Sequence, residues 1–187
     1  MPSERFTING IDRVSFAVED LDTACRFAAD WGLAEAAAPA GTRLFRTVDH
    51  SEVEFFAPDP ADPRRTAISD ASGICEITWG VSDEADIEAI RAELARDRMA
   101  EIDGEGVLRS RDDLGIGLAF RVPRRRHQPF TPSLYNAPSQ PTRINRRAAR
   151  YTRATPHEIS HLAIGVDAAR QPHRFYVERL GFHISDR

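Results

Sequence analysis

The sequence predicts an α+β fold: paired βαβββ modules forming a curved, open mixed sheet, followed by an incomplete third module. Three observations predict it. Ile11–Val18, Ile74–Val81 and Ile159–Val166 align without gaps. Each of the three alternates large apolar with small or polar residues, the mark of a half-buried strand. Each is followed by residues apolar at helical spacing. Self-similarity at a recurring interval marks repeated supersecondary units.

The strands come first. Their apolar faces are Val14, Phe16, Val18, then Ile77, Trp79, Val81, then Leu162, Ile164, Val166. The opposite faces are Arg13, Ser15, Ala17, then Glu76, Thr78, Gly80, then His161, Ala163, Gly165. One face can pack a helix, and the other opens with a functional group and continues with small residues, as a cavity wall does. In the first helix the stripe is Ala24, Phe27, Ala28 and Trp31, with Asp20 as N-cap and Gly32 as C′ stop. In the second it is Ile87, Ile90 and Leu94, capped by Asp83, and in the third Phe175, Tyr176 and Leu180 lead into Gly181. Three shorter strands follow the first helix, at about 33–38, 42–48 and 52–57, and three follow the second, at about 99–102, 106–110 and 115–122.

The first two strands begin 63 residues apart, the second and third 85. The excess falls in a stretch with six prolines, eight arginines and no acidic residue. The expected organisation is a domain over 5–122, made of modules 5–66 and 67–122, a linker over 123–157, and the start of a further domain over 158–187.

All 25 basic residues are arginine, which excludes Schiff-base chemistry and a P-loop lysine. The net charge of −4 makes no general case for nucleic acid. The linker arginines read as a basic strap docking on acidic domains, since the remainder of the chain carries −12 without them. Cys25 and Cys75 show no metal spacing and are expected to be buried free thiols. No apolar run is long enough to span a bilayer and no signal-peptide core opens the sequence, so a cytoplasmic location is expected.

Paired βαβββ modules resemble the vicinal oxygen chelate superfamily of glyoxalase I, bleomycin-resistance proteins and type I extradiol dioxygenases. His161-Leu-Ala-Ile-Gly-Val-Asp167 with Phe175-Tyr-Val-Glu-Arg-Leu-Gly-Phe182 is most similar to the opening of the catalytic C-terminal domain of the dioxygenases. The resemblance implies that His161 is a metal ligand, the first of an Fe(II) triad of two histidines and a carboxylate, whose other members lie beyond Arg187. It places the equivalent positions of the N-terminal domain on Arg13, Glu54, Glu76 and Ala119. Arginine stays protonated and alanine has no donor, so this cavity is expected to be metal-free, with Arg13 paired to Glu76 or Glu54. No catalytic or further cofactor-binding residue is assigned.

The implied activity is Fe(II)-dependent extradiol cleavage of a catechol-type ring with O2. The partners expected are a catecholic substrate, O2 and further copies of the chain, with no nucleic acid and no membrane. The alternatives are a small-molecule binding module of the bleomycin-resistance type and a glyoxalase-like isomerase or lyase. His157 and His173 read as surface residues, His50 as a hairpin-turn residue and His127 as a linker residue, and no role is read for His183.

Overall fold

The computed structural model describes residues 5–67, 72–129, 150–165 and 172–184. Val166 of the third predicted strand and linker residues 130–149, with Phe130 and Tyr135, lie outside them.

Both modules form as βαβββ. The first is β1 (Ile8–Ala17), α1 (Leu21–Asp30), β2 (Ala34–Ala36), β3 (Thr42–Arg46) and β4 (Glu52–Phe56). The second is β5 (Gly73–Val81), α2 (Glu84–Leu94), β6 (Glu101–Ile102), β7 (Leu108–Arg111) and β8 (Gly117–Arg121). A third helix, α3, spans Pro172–Leu180. The strands make one open sheet in the order β2-β3-β4-β1-β5-β8-β7-β6. The central pair β1–β5 is antiparallel, and each of these strands pairs in parallel with the last strand of its own module. The repeat thus becomes a pseudo-twofold in register. Val14 faces Ile77, while Arg13 faces Thr78 as Ser15 faces Glu76. Glu52 beside Arg13 corresponds to Gly117 beside Glu76.

The helix termini follow the chemistry of their caps. The Asp20 carboxylate accepts from Thr23 N at 2.9 Å, and that of Asp83 from Asp86 N at 3.0 Å. Each satisfies an amide that has no partner within its helix. Gly32 and Gly181 stop their helices at φ 94° and 73°.

One face of the sheet carries the apolar core. Cys25 and Ala28 of α1 pack on Phe45 and Phe55. Ile87, Ile90 and Leu94 of α2 pack on Leu108, Leu118 and Phe120. The predicted α1 stripe needs correction: Phe27 and Trp31 are 62% and 59% exposed and lie against each other, tilted, at the surface. Helical spacing locates a stripe on the wheel, but the small residues Cys25 and Ala28 are the ones that let the helix approach the two phenylalanines.

The third segment packs onto the same face. Ile159, Leu162 and Ile164 lie on Val14 and Ile77, over the central strand pair. Phe175 and Leu180 of α3 are buried in the cluster that holds α2. Arg179 donates to Glu93 at 2.5 Å and to Asp97 at 2.7 Å, and Tyr176 Oη donates to Asp112 at 2.8 Å. Burying two such apolar side chains contributes on the order of 2 kcal/mol each. The predicted strand over 159–166 is not seen: Ile159–Gly165 joins no described strand, although Leu162 and Ile164 face inward and Ala163 and Gly165 outward. Alternation survives because packing imposes it, whereas a ladder needs a neighbouring strand.

Candidate functional site

The other face of the sheet carries a polar cluster gathered on Glu52. This carboxylate sits on β4, 4% exposed, where three arginines from three strands converge. It accepts from Arg13 Nε and Nη2 at 2.8 and 2.5 Å, from Arg46 Nε and Nη2 at 3.0 and 2.8 Å, and from Arg121 Nη2 at 2.8 Å. Burial alone would raise its pKa, but the guanidiniums of Arg121, Arg13 and Arg46 outweigh that and lower it to about 2. Asp12 joins the cluster through Arg121 Nε at 2.5 Å. It is the extra residue of a bulge, since Ile11 and Arg13 flank it yet pair with the adjacent Trp79 and Thr78.

Arg121, at the end of β8, reaches over β5 and β1 to Glu52 on β4. It therefore clasps the two modules together across the polar face. Arg13 also lies 3.4 Å from Glu54, which accepts from Ser15 Oγ at 2.7 Å. In the second module Glu76 is held by Arg109 Nη1 at 2.6 and 2.8 Å, and Arg109 Nε donates to Asp103 at 3.0 Å. Of the two expected partners, Arg13 takes Glu54, together with Glu52, while Glu76 pairs with Arg109. Asp12, Arg13, Arg46, Glu52 and Arg121 line a trough of about 890 Å³ that extends past Val122–Arg124 to Glu105–Val107.

Next to the trough, the β3–β4 hairpin is tightly organised. The buried Asp49 carboxylate accepts from Thr47 Oγ1 at 2.6 Å, Ser51 Oγ at 2.7 Å and Ser51 N at 2.8 Å. Burial would raise its pKa, but these bonds and Arg125 hold it below the ordinary range. The hairpin also anchors the basic strap. Val48 N and Asp49 N donate to the carbonyls of Pro156 and His157, and Ile159 N donates to Ser51 Oγ. Arg125 donates to the Ile11 carbonyl and lies 3.5 Å from Asp49.

The four positions that the resemblance singled out as metal-ligand equivalents lie on the polar face, and they do not fit a metal. Arg13 brings a cation of its own, Glu54 and Glu76 are engaged by arginines, and Ala119 has no donor. No group of three or more His, Cys, Asp or Glu able to hold a metal occurs among the described residues. His161 lies on the outward side of the third segment, exposed, with Nδ1 3.1 Å from Ser160 Oγ. Residues 157–161 read His-Glu-Ile-Ser-His, a zinc-protease pattern that needs a helix to bring its histidines onto one face. This segment is not helical, so the pattern carries no site.

Sequence reasoning missed Glu52, Asp12, Arg46 and Arg121. Only Glu52 left a signal, as the same-face neighbour of Glu54 two residues on. Cys25 and Cys75 are buried and free, as expected.

This architecture is the vicinal oxygen chelate fold. No protein-family model matches the sequence, and no curated protein matches it. Solved structures do. The Mn(II)-bound glyoxalase from Novosphingobium aromaticivorans is similar with a TM-score of 0.64 and 19% identity, over 96% of this chain and 55% of that one. Homoprotocatechuate 2,3-dioxygenase from Brevibacterium fuscum is similar with a TM-score of 0.51 and 16% identity, over 65% of this chain and 34% of that one. The chain therefore spans about half the length of the glyoxalase and about a third of the dioxygenase. No described helix is long and apolar enough to cross a membrane.

Proposed function

We propose that the protein is a metal-dependent enzyme of the vicinal oxygen chelate kind, and within it an Fe(II) extradiol dioxygenase that opens a catechol-type ring beside its diol with O2. The observation that carries this reading is the third strand-like segment. It repeats the pattern of β1 and β5, but has His161 where those strands have Arg13 and Glu76. It is the one copy whose first functional position suits a transition metal. The described residues supply only this one ligand, so a complete site needs two more donors.

A second reading is a glyoxalase-type isomerase, favoured by the longer structural match to the Mn(II)-bound glyoxalase. In either reading the first domain is the arginine-clasped, metal-free partner of the metal domain, and a cytoplasmic homo-oligomer is the expected context. The test is anaerobic Fe(II) loading of the product of the full-length gene, followed by catechol or 2,3-dihydroxybiphenyl and oxygen. A yellow ring-fission product with O2 uptake, lost in His161→Ala, is expected. Absence of O2 uptake with every catechol refutes the dioxygenase, and metal retention unchanged in His161→Ala refutes the ligand assignment.

A further inference from the structure

The trough beside the arginine clasp contains two kinds of charge. Arg13, Arg46 and Arg121 are all ion-paired to Asp12 or Glu52 within it. Four other groups lining it are not. Arg124, Glu84 and Glu105 form no ion pair among the described residues, and the His50 side chain forms no hydrogen bond there. Unpaired charges of both signs, in a space of about 890 Å³ with Val107 and Val122 on its wall, match a molecule that is charged at both ends and apolar between them.

His50 is a separate observation pointing to the same place. It is the one non-glycine residue with positive φ among the described residues, at 71°. The hairpin around it is pinned on both sides. Asp49 and Val48 bond to the strap at 156–157, Asp49 O accepts from Arg126 N, and Gln128 Nε2 donates to the Val48 carbonyl. A strained residue persists where its surroundings over-determine it, and such residues cluster at ligand-holding positions. Here the strained residue is an exposed imidazole on the wall of the trough, on the side of the first module, while Glu84 and Glu105 come from the second.

We propose that the trough binds a small amino-carboxylate, with its carboxylate against Arg124 and His50 and its ammonium against Glu84 and Glu105. Arg124 supplies a charge-assisted pair of N–H donors to the carboxylate, and His50 adds a third donor. The two glutamates accept from the ammonium. Val107 and Val122 take the methylene chain. The site is independent of the metal-dependent reading, because none of its residues belongs to the third segment.

Isothermal titration of the full 187-residue chain with 6-aminohexanoate, hexanoate and hexylamine tests this. The expected result is saturable one-to-one binding of 6-aminohexanoate, with each singly charged analogue at least about tenfold weaker, one charge-assisted contact being worth about that factor. Arg124→Ala should weaken the amino-carboxylate about tenfold. Glu84→Gln with Glu105→Gln should remove its advantage over hexanoate. His50→Gly suits the backbone conformation, so it keeps the fold and should still lose affinity. The proposal is overturned if 6-aminohexanoate gives no saturable heat at millimolar concentration. It is equally overturned if hexanoate and hexylamine bind as well, or if Arg124→Ala binds as the parent does. Exposed Arg26, away from the trough, is the control whose alanine variant should bind unchanged.

Discussion

Glu52→Gln should remove a pH-dependent part of the stability. The Glu52 carboxyl is held at about 2, against an ordinary 4.5, by Arg121, Arg13 and Arg46. Lowering it from 4.5 to about 2 corresponds to roughly 3 kcal/mol favouring the ionised form in the folded state. The side chain is 6% exposed, so solvent screening reduces this little. The sign follows from the depressed value. The contribution is fully present above about pH 4.5 and is lost as the pH falls toward 2. Glutamine keeps the shape but offers no charge, so it resembles the protonated acid. Urea unfolding from pH 7 down to pH 2.5 should show the variant weaker by about 3 kcal/mol at neutral pH, with the gap closing steadily below pH 4.5. Removing one partner from a buried ion cluster can raise the neutral-pH loss to about 5 kcal/mol. A gap that stays constant across this range refutes the argument, because it would mean that shape rather than charge carries the effect.

Three further changes probe the packing. Phe175→Ala should cost about 3–5 kcal/mol in chemical unfolding, because the ring is buried in the cluster that joins α3 to α2, and an unchanged midpoint would show that α3 does not dock there. Gly32→Ala should destabilise by more than about 1 kcal/mol, since the residue sits at φ 94° and an added Cβ would run into the Ala154 carbonyl. Limited proteolysis should then cut faster around 150–157. Phe27→Ser with Trp31→Ser should leave the unfolding free energy within about 0.5 kcal/mol of the parent, as both rings are exposed, and a large loss would place them in an interface.

The two modules were legible because their signals are local. A period of two in Ile11–Val18 and Ile74–Val81, a helical stripe after each, and aspartate caps at Asp20 and Asp83 need nothing distant to be read. The same alternation separated the apolar face from the face that carries Arg13, Ser15, Glu76 and Thr78. It also carried Arg13 and Glu76 to matching positions across the pseudo-twofold, which the register reproduces.

What the tertiary structure alone decided is which partner each charge takes and what lies against each surface. Arg121 meets Glu52 across two intervening strands, and a bulge turns Asp12 into the same cluster. Neither relation has a period that a sequence can display. Phe27 and Trp31 show the same limit, since helical spacing cannot tell which of two adjacent stripes meets the sheet. The third segment is the sharpest case. Its alternation was written in the sequence, and the structure keeps it by packing Leu162 and Ile164 on the cluster of Val14 and Ile77. Whether those residues become a strand depends on a hydrogen-bonding neighbour, and a ladder, unlike a side-chain pattern, is a property of two strands and not of one.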